Sequence, residues 1–194
     1  DIGENDPKPH QNEIAYLMLF KDFNRIDLTL VEVQNRAACK DSLTKVLLDK
    51  DDWFGLTKQP SDSDYWVRRP SQKAFFDCCN EFWWVSPYVV KGLARGEILY
   101  AKDMLEDPIR KMFLNMLAWF VASENGFSLN LGASNRFLKN HVDAMMWEKI
   151  LKTYPDAQKK NIWNSLLVMA ELFHELAIQT SEKIQIDYKI QEAT

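Results

Sequence analysis

Glycine, histidine and cysteine are all scarce in this sequence. Six glycines and three histidines in 194 residues leave little material for a turn-rich β-sandwich or a histidine-based metal centre. Set against 11 Phe, 7 Trp and 6 Tyr, so few glycines favour helices. The three cysteines, Cys39, Cys78 and Cys79, are odd in number. The adjacent pair is poorly placed to bridge, and no Cys-x-x-Cys or Cys/His zinc spacing occurs. They read as reduced core thiols of a cytoplasmic protein. His10, His141 and His174 share no HExxH-type spacing and read as structural histidines; GxSxG, Walker A and GxGxxG patterns are absent as well. No apolar run reaches the ~18 residues of a membrane span, and no signal peptide opens the chain. Excess positive charge is lacking too. A net charge of −4 argues against nucleic acid or an anionic membrane as a partner. It suits a cationic ligand, or serves only solubility.

What is present is an ordinary soluble composition, 46% hydrophobic and 27% charged, long enough for one or two packed units. The chain starts at Asp1 without an initiator Met, on a polar, turn-rich stretch (DIGENDPKPHQNE) that reads as a loop between elements, so the N-terminus looks cut.

Two regions differ in period. Glu13 to Phe20 (EIAYLMLF) is a continuous apolar run, KDFN is polar, and RIDLTLVEV follows from Arg25 to Val33. Two extended runs joined by a short turn predict an antiparallel hairpin. In the second strand Ile26, Leu28 and Leu30 share one face, and Arg25, Asp27 and Thr29 the other. A short helix at Asp41 to Thr44 and a strand at Lys45 to Asp49 (KVLLD) are expected next. These strands are too few to bury both faces of a sheet, so something else should complete them.

Residues 58–70 (KQPSDSDYWVRRP) read as a polar linker, and the remainder is helical. Ser71 is a plausible N-cap for a long helix reaching about Glu106, kinked at Pro87. A second helix is expected from Asp107-Pro108 to Glu124, stopped by Asn125-Gly126. Phe127 to Ser134 reads as a loop. Further helices are expected near Asn135 to His141, Asp143 to Thr153 and Gln158 to Ile186. The fold class is α+β, with 1–57 as a sheet unit and 71–194 as a helical bundle.

Two constellations could carry chemistry. Asp27 is a carboxylate in mid-strand, where propensity disfavours it. It is either a surface carboxylate on a solvated sheet face, or a metal ligand or general base. As a ligand it would need partner carboxylates. The second constellation is a stripe: Asp77, Glu81, Trp84, Tyr88, Lys91 and Arg95 follow a 4-3-4-3-4 spacing. At ~3.6 residues per turn they fall within about 40° of one line. Phe82, Val85, Val89 and Leu93 lie opposite as a core face. The stripe is either a solvent face with i,i+4 ion pairs, or the polar wall of a cleft. In the second case acids would bind a cation, aromatics would stack on a ring, and Lys91 and Arg95 would meet phosphates. Trp119, Trp147, Trp163 and Phe173 recur at helical spacings and read as core.

Phe76 to Ala101, FDCCNEFWWVSPYVVKGLARGEILYA, closely resembles the signature of the aminoglycoside 6-adenylyltransferases. RIDLTL, KVLLDKD and YWVRRP resemble the same family in the same order, as do MLAWFVASENGFSLNLG, NRFLK, WEKILKTY and NIWNSL downstream. The resemblance implies a nucleotidyltransferase sheet of the DNA-polymerase-β type followed by a C-terminal helical domain. It implies transfer of AMP from ATP to a hydroxyl of an aminoglycoside such as streptomycin, with Mg²⁺ as cofactor and antibiotic resistance as the outcome. Asp27 matches the family's third metal carboxylate and would serve as catalytic residue and metal ligand. Lys91 and Tyr88 are assigned to the nucleotide, Glu81 and Trp84 to the drug.

The Gly-Ser turn and the Asp-x-Asp pair that precede these motifs in the family do not occur in this sequence. The 194 residues by themselves are therefore expected not to catalyse transfer, and a non-catalytic ligand- or partner-binding remnant is the alternative reading. The oligomeric state is not legible.

Overall fold

The computed structural model describes residues 13–35, 41–55 and 58–188. Cys39, His10 and most of the opening loop lie outside the described residues. The chain forms two compact units, Asp1–Asp64 and Tyr65–Thr194, which are described separately.

In the first unit, β1 (Glu13–Leu19) and β2 (Arg25–Val31) pair antiparallel. The turn closes through the Phe20 amide donating to the Asn24 carbonyl at 2.8 Å. The Asp22 carboxylate caps the Asn24 amide at 3.1 Å. The register places Ile14 opposite Leu30, Tyr16 opposite Leu28 and Met18 opposite Ile26, so one face is wholly apolar. The other carries Ala15 opposite Thr29 and Leu17 opposite Asp27. The alternation expected from RIDLTL is realised, and Ile14, Tyr16, Ile26, Leu28 and Leu30 all remain exposed.

Lys45 to Asp49 is not a strand, contrary to expectation. Leu47 and Leu48 are exposed, so among the described residues the apolar run finds no strand to pair with. The Asp41–Thr44 segment is a turn, held by Thr44 Oγ1 donating to Asp41 Oδ1 at 2.9 Å.

The second unit is helical. Ser71, extended at φ −69° and ψ 160°, accepts from the Ala74 amide and starts α1 (Gln72–Arg95), as its side chain predicts. The helix runs through Pro87 without a break and ends at Gly96, whose φ of 77° is a left-handed cap that glycine adopts without strain. This is ten residues short of the expected end near Glu106. There the chain has turned into α2 (Ile98–Met104), followed by a π-helical turn, Leu105–Ile109, and α3 (Arg110–Glu124). Pro108 therefore sits inside a π turn rather than opening a helix. A π turn widens the ladder by one residue and tolerates the missing proline amide. Asn125 and Gly126 stop α3, as expected.

Single 3-10 turns at Ala133–Asn135 and Leu138–His141 replace the helix expected there. Next come α4 (Ala144–Leu151), capped by Asp143, and α5 (Lys159–Lys183). The second half of the expected 58–70 linker belongs to this unit: the Val67 amide donates to Leu129 O at 2.8 Å, and Arg69 Nη2 to Ile184 O at 2.5 Å.

The core sits between α1, α3 and α5. Phe82 of α1 stacks on Phe173 of α5, ring centroids 3.8 Å apart, and Phe75, Phe113, Met116, Met169 and Leu176 are fully enclosed. Phe82, Val85, Val89 and Leu93 are buried, as the helical period requires. Cys78 and Cys79 are buried and unbridged. Burial pushes the Cys79 thiol up to about 12, which makes it inert. Among the large aromatics, Trp163 is not core: it is 40% exposed. No helix among the described residues is long and apolar enough to cross a membrane.

Candidate functional site

Position on α1 decides what its outer face can do. Core residues occupy one side, so the stripe Asp77, Glu81, Trp84, Lys91 and Arg95 projects to solvent, with Tyr88 half-buried. Asp77, Asn80, Glu81, Trp83 and Trp84 line an open cleft of about 720 Å³. Glu81 and Trp84, assigned to the same ligand from the sequence, are thus brought together. Trp84 is 73% exposed, an unusual state for an indole without a partner. Asp77 accepts from Lys73 at 2.5 Å, so its charge is partly met. Among the described residues Glu81 takes part in no ion pair, and its charge stays available.

Asn80 and Trp83 are the two lining residues that the stripe did not include. They lie on the next row of α1, where Asn80 is exposed and the half-buried Trp83 packs edge-on against Phe173 of α5. A cleft with two carboxylates, an amide and two indoles can receive a cation, with hydrogen bonds to the charge and a ring face beneath it.

Tyr88 and Lys91 fall one turn further on. The Lys91 ammonium lies 5.1 Å from the centre of the Tyr88 ring, and neither residue lines the acidic cleft. Lys91 instead borders an apolar groove of about 440 Å³ between α1 and α5, with Pro87, Val90, Trp163, Leu166 and Leu167. A single helix therefore presents an acidic aromatic half and a basic half.

Asp27 lies in the first unit, on the polar face of the hairpin. Arg25, two residues away on the same face, donates to both of its oxygens, Nε to Oδ1 at 2.8 Å and Nη2 to Oδ2 at 2.9 Å. Among the described residues no three His, Cys, Asp or Glu side chains form a group that could hold a metal. One carboxylate already bidentate with a guanidinium does not fit Mg²⁺, a hard cation that needs several oxygen ligands.

A second polar cluster pins the π turn, and its Lys102, Glu106 and Arg110 stand at the i,i+4 spacing of helical ion pairs. Arg110 is buried and donates from Nη2 to Thr153 O at 2.6 Å and from Nη1 to Thr153 Oγ1 at 3.0 Å. It also pairs with Glu106, and its guanidinium lies 3.7 Å from the centre of the Tyr154 ring. Lys102 joins through Glu106 Oε1 and Pro155 O, both at 3.0 Å. Burial raises the Glu106 carboxyl, but the hydrogen bonds from Arg110 and Lys102 outweigh it and hold the group below its usual value. The cluster holds α2, the π turn and the loop after α4 together, with two cations sharing the single Glu106 carboxylate.

A family model described as streptomycin adenylyltransferase matches residues 3–194. An aminoglycoside 6-adenylyltransferase of Bacillus subtilis (strain 168) is 42% identical over 180 residues, covering 91% of this chain and 63% of the relative. One from Campylobacter jejuni is 40% identical over 177 residues, covering 90% and 61%. The chain thus spans somewhat under two thirds of these relatives. The crystal structure of an aminoglycoside 6-adenyltransferase from Bacillus subtilis superposes with a TM-score of 0.60 at 39% identity, over 94% of this chain and 68% of that one. The DCCNEFWW run that builds the acidic cleft lies within the matched residues, and the chain belongs to the streptomycin adenylyltransferase family.

Proposed function

We propose that this chain contributes the aminoglycoside-binding wall of an enzyme that transfers AMP from ATP to a drug hydroxyl, releasing pyrophosphate and conferring resistance. The observation that carries this reading is the α1 cleft, where Glu81 lies beside Asp77, Asn80 and the exposed Trp84. Streptomycin bears guanidinium groups. A guanidinium matches a carboxylate through two parallel hydrogen bonds and stacks on an indole face. Lys91 and Tyr88 are assigned to the nucleotide, since an ammonium next to a phenol ring can meet a phosphate and a base. ATP is the co-substrate, which places the reaction in the cytoplasm, and Mg²⁺ is the cofactor. Asp27, once freed from Arg25, would accept the proton of the drug hydroxyl, while the described residues supply no partner carboxylates with which it could hold the ion.

The relatives named above are adenylyltransferases, which supports the reaction class. The pairing of Asp27 with Arg25 favours a second reading for the 194 residues taken alone: they bind ligand and perform no chemistry.

Titration calorimetry of the chain with streptomycin separates these statements from a purely structural role. Binding is expected for the unmodified chain, weakened about tenfold or more by Glu81→Gln, a loss of ~1.4 kcal/mol, and similarly by Trp84→Ala. Unchanged affinity in both variants would remove the cleft from consideration. AMP transfer by these 194 residues would remove the second reading.

A further inference from the structure

The stripe on α1 has a symmetry that a ligand wall does not require. Its members are Asp77, Glu81, Trp84, Tyr88, Lys91 and Arg95. Taken from the two ends inward, they pair acid with base, acid with base, and aromatic with aromatic: Asp77 with Arg95, Glu81 with Lys91, Trp84 with Tyr88. All three pairs are centred on Ser86. The 4-3-4-3-4 spacing is that of alternating d and a positions in a heptad, and antiparallel helices place each a opposite a d of the partner. Two copies of α1 crossing antiparallel at a two-fold axis through Ser86 would therefore meet as Asp77–Arg95, Glu81–Lys91 and Trp84–Tyr88, each pair made twice. Self-complementarity about one point is what an isologous interface demands.

The structure supplies the other requirements. The stripe is accessible along α1, with five members exposed and Tyr88 half-buried. Among the described residues Glu81, Lys91 and Arg95 have no salt-bridge partner, and Asp77 has only the exposed Lys73. The exposed Trp84 also gains a receptacle. A side chain at its position enters the partner surface between residues 84, 87, 88 and 91. There, Pro87 and Lys91 form one edge of the apolar groove completed by Val90, Trp163 and Leu167. Trp84, Trp163, Val90 and Leu167 are among the exposed large apolar side chains of the helical unit, and antiparallel pairing would cover them together.

We propose that α1 is the homodimerisation face of this chain: a second copy docks antiparallel through the six-residue stripe, with Trp84 of each copy set against Tyr88 and the α1/α5 groove of the other. The proposal does not rest on the ligand reading. Because Glu81 and Trp84 also line the acidic cleft, the two uses of this face exclude one another, and pairing is measured without drug.

The test is sedimentation equilibrium of the full chain at low ionic strength, where screening of the ion pairs is weakest. The unmodified chain is expected to approach twice the monomer mass as concentration rises. Glu81→Lys and Lys91→Glu are each expected to weaken self-association at least about tenfold, because each sets like charges opposite one another twice. An equimolar mixture of the two variants should associate again. In that mixed pair the lysine introduced into one copy meets the glutamate introduced into the other, and the native Glu81 and Lys91 still face each other across the axis. The double variant E81K/K91E should also associate, with both pairs inverted. A monomeric unmodified chain at every concentration would overturn the proposal. So would single variants that still dimerise, or a mixture that stays monomeric while the unmodified chain pairs.

Discussion

A strand places side chains alternately on two faces, so Arg25 and Asp27 had to be neighbours once RIDLTL became a strand. The bidentate pair they form is exposed, and such pairs contribute little to stability. Asp27→Asn is therefore expected to leave the circular dichroism and melting of the chain unchanged. If Asp27 acts as proposed, AMP transfer to streptomycin by the complete protein should fall at least about a hundredfold, the usual contribution of a positioned base. Retained transfer would return Asp27 to the role of surface carboxylate. The sequence could locate Asp27 but not Arg25's hold on it, because pattern fixes a face and not a rotamer.

Among the elements, those whose ends carry local signals were legible and those fixed by packing were not. Ser71 and Asp143 cap their helices because a short side-chain oxygen can reach the amide three residues on. Asn125-Gly126 stops α3 for a similarly local reason. The break at Gly96 was missed because the apolar period continues across it, and only the positive φ ends the helix. The apolar run Lys45–Asp49 does not become a strand, since such a run needs another strand beside it. The cleft is half legible: the 4-3 spacing finds Asp77, Glu81 and Trp84, whereas Asn80 and Trp83 lie on the adjacent row of the same helix, outside that line. The π turn itself left no trace in the pattern, although Lys102, Glu106 and Arg110, which pin it, stand four residues apart in the sequence. Glu106 is held below its usual value, so its contribution is complete above the unfolded carboxyl range, near ~4.3, and is lost as pH falls through the folded value. Glu106→Gln is expected to destabilise the chain by about 1–3 kcal/mol at pH 7. In urea melts that difference should shrink below about pH 4. A pH-independent difference would mean that shape rather than charge matters at this position.

For the whole molecule, the distribution of burial is uneven. Among the described residues every fully enclosed large side chain, from Phe75 to Leu176, belongs to the second unit. The hairpin offers Ile14, Tyr16, Ile26, Leu28 and Leu30 on one face and buries none of them. A two-stranded hairpin is marginal in water by itself, whereas α1, α3 and α5, with Phe82 of α1 stacked on Phe173 of α5, form a cooperative core. The two units should therefore differ sharply in protection. Amides of β1 and β2 are expected to exchange hydrogen with rates close to those of an open chain, while those in the central turns of α1 and α5 exchange only through global unfolding. A polypeptide of residues 65–194 should melt within about 5 °C of the full chain, the shift that ~1 kcal/mol produces at this size, and keep its helical circular dichroism. Slow exchange in the hairpin, or collapse of 65–194 without the first 64 residues, would show that the core of the helical unit is not the stabilising centre its burial indicates.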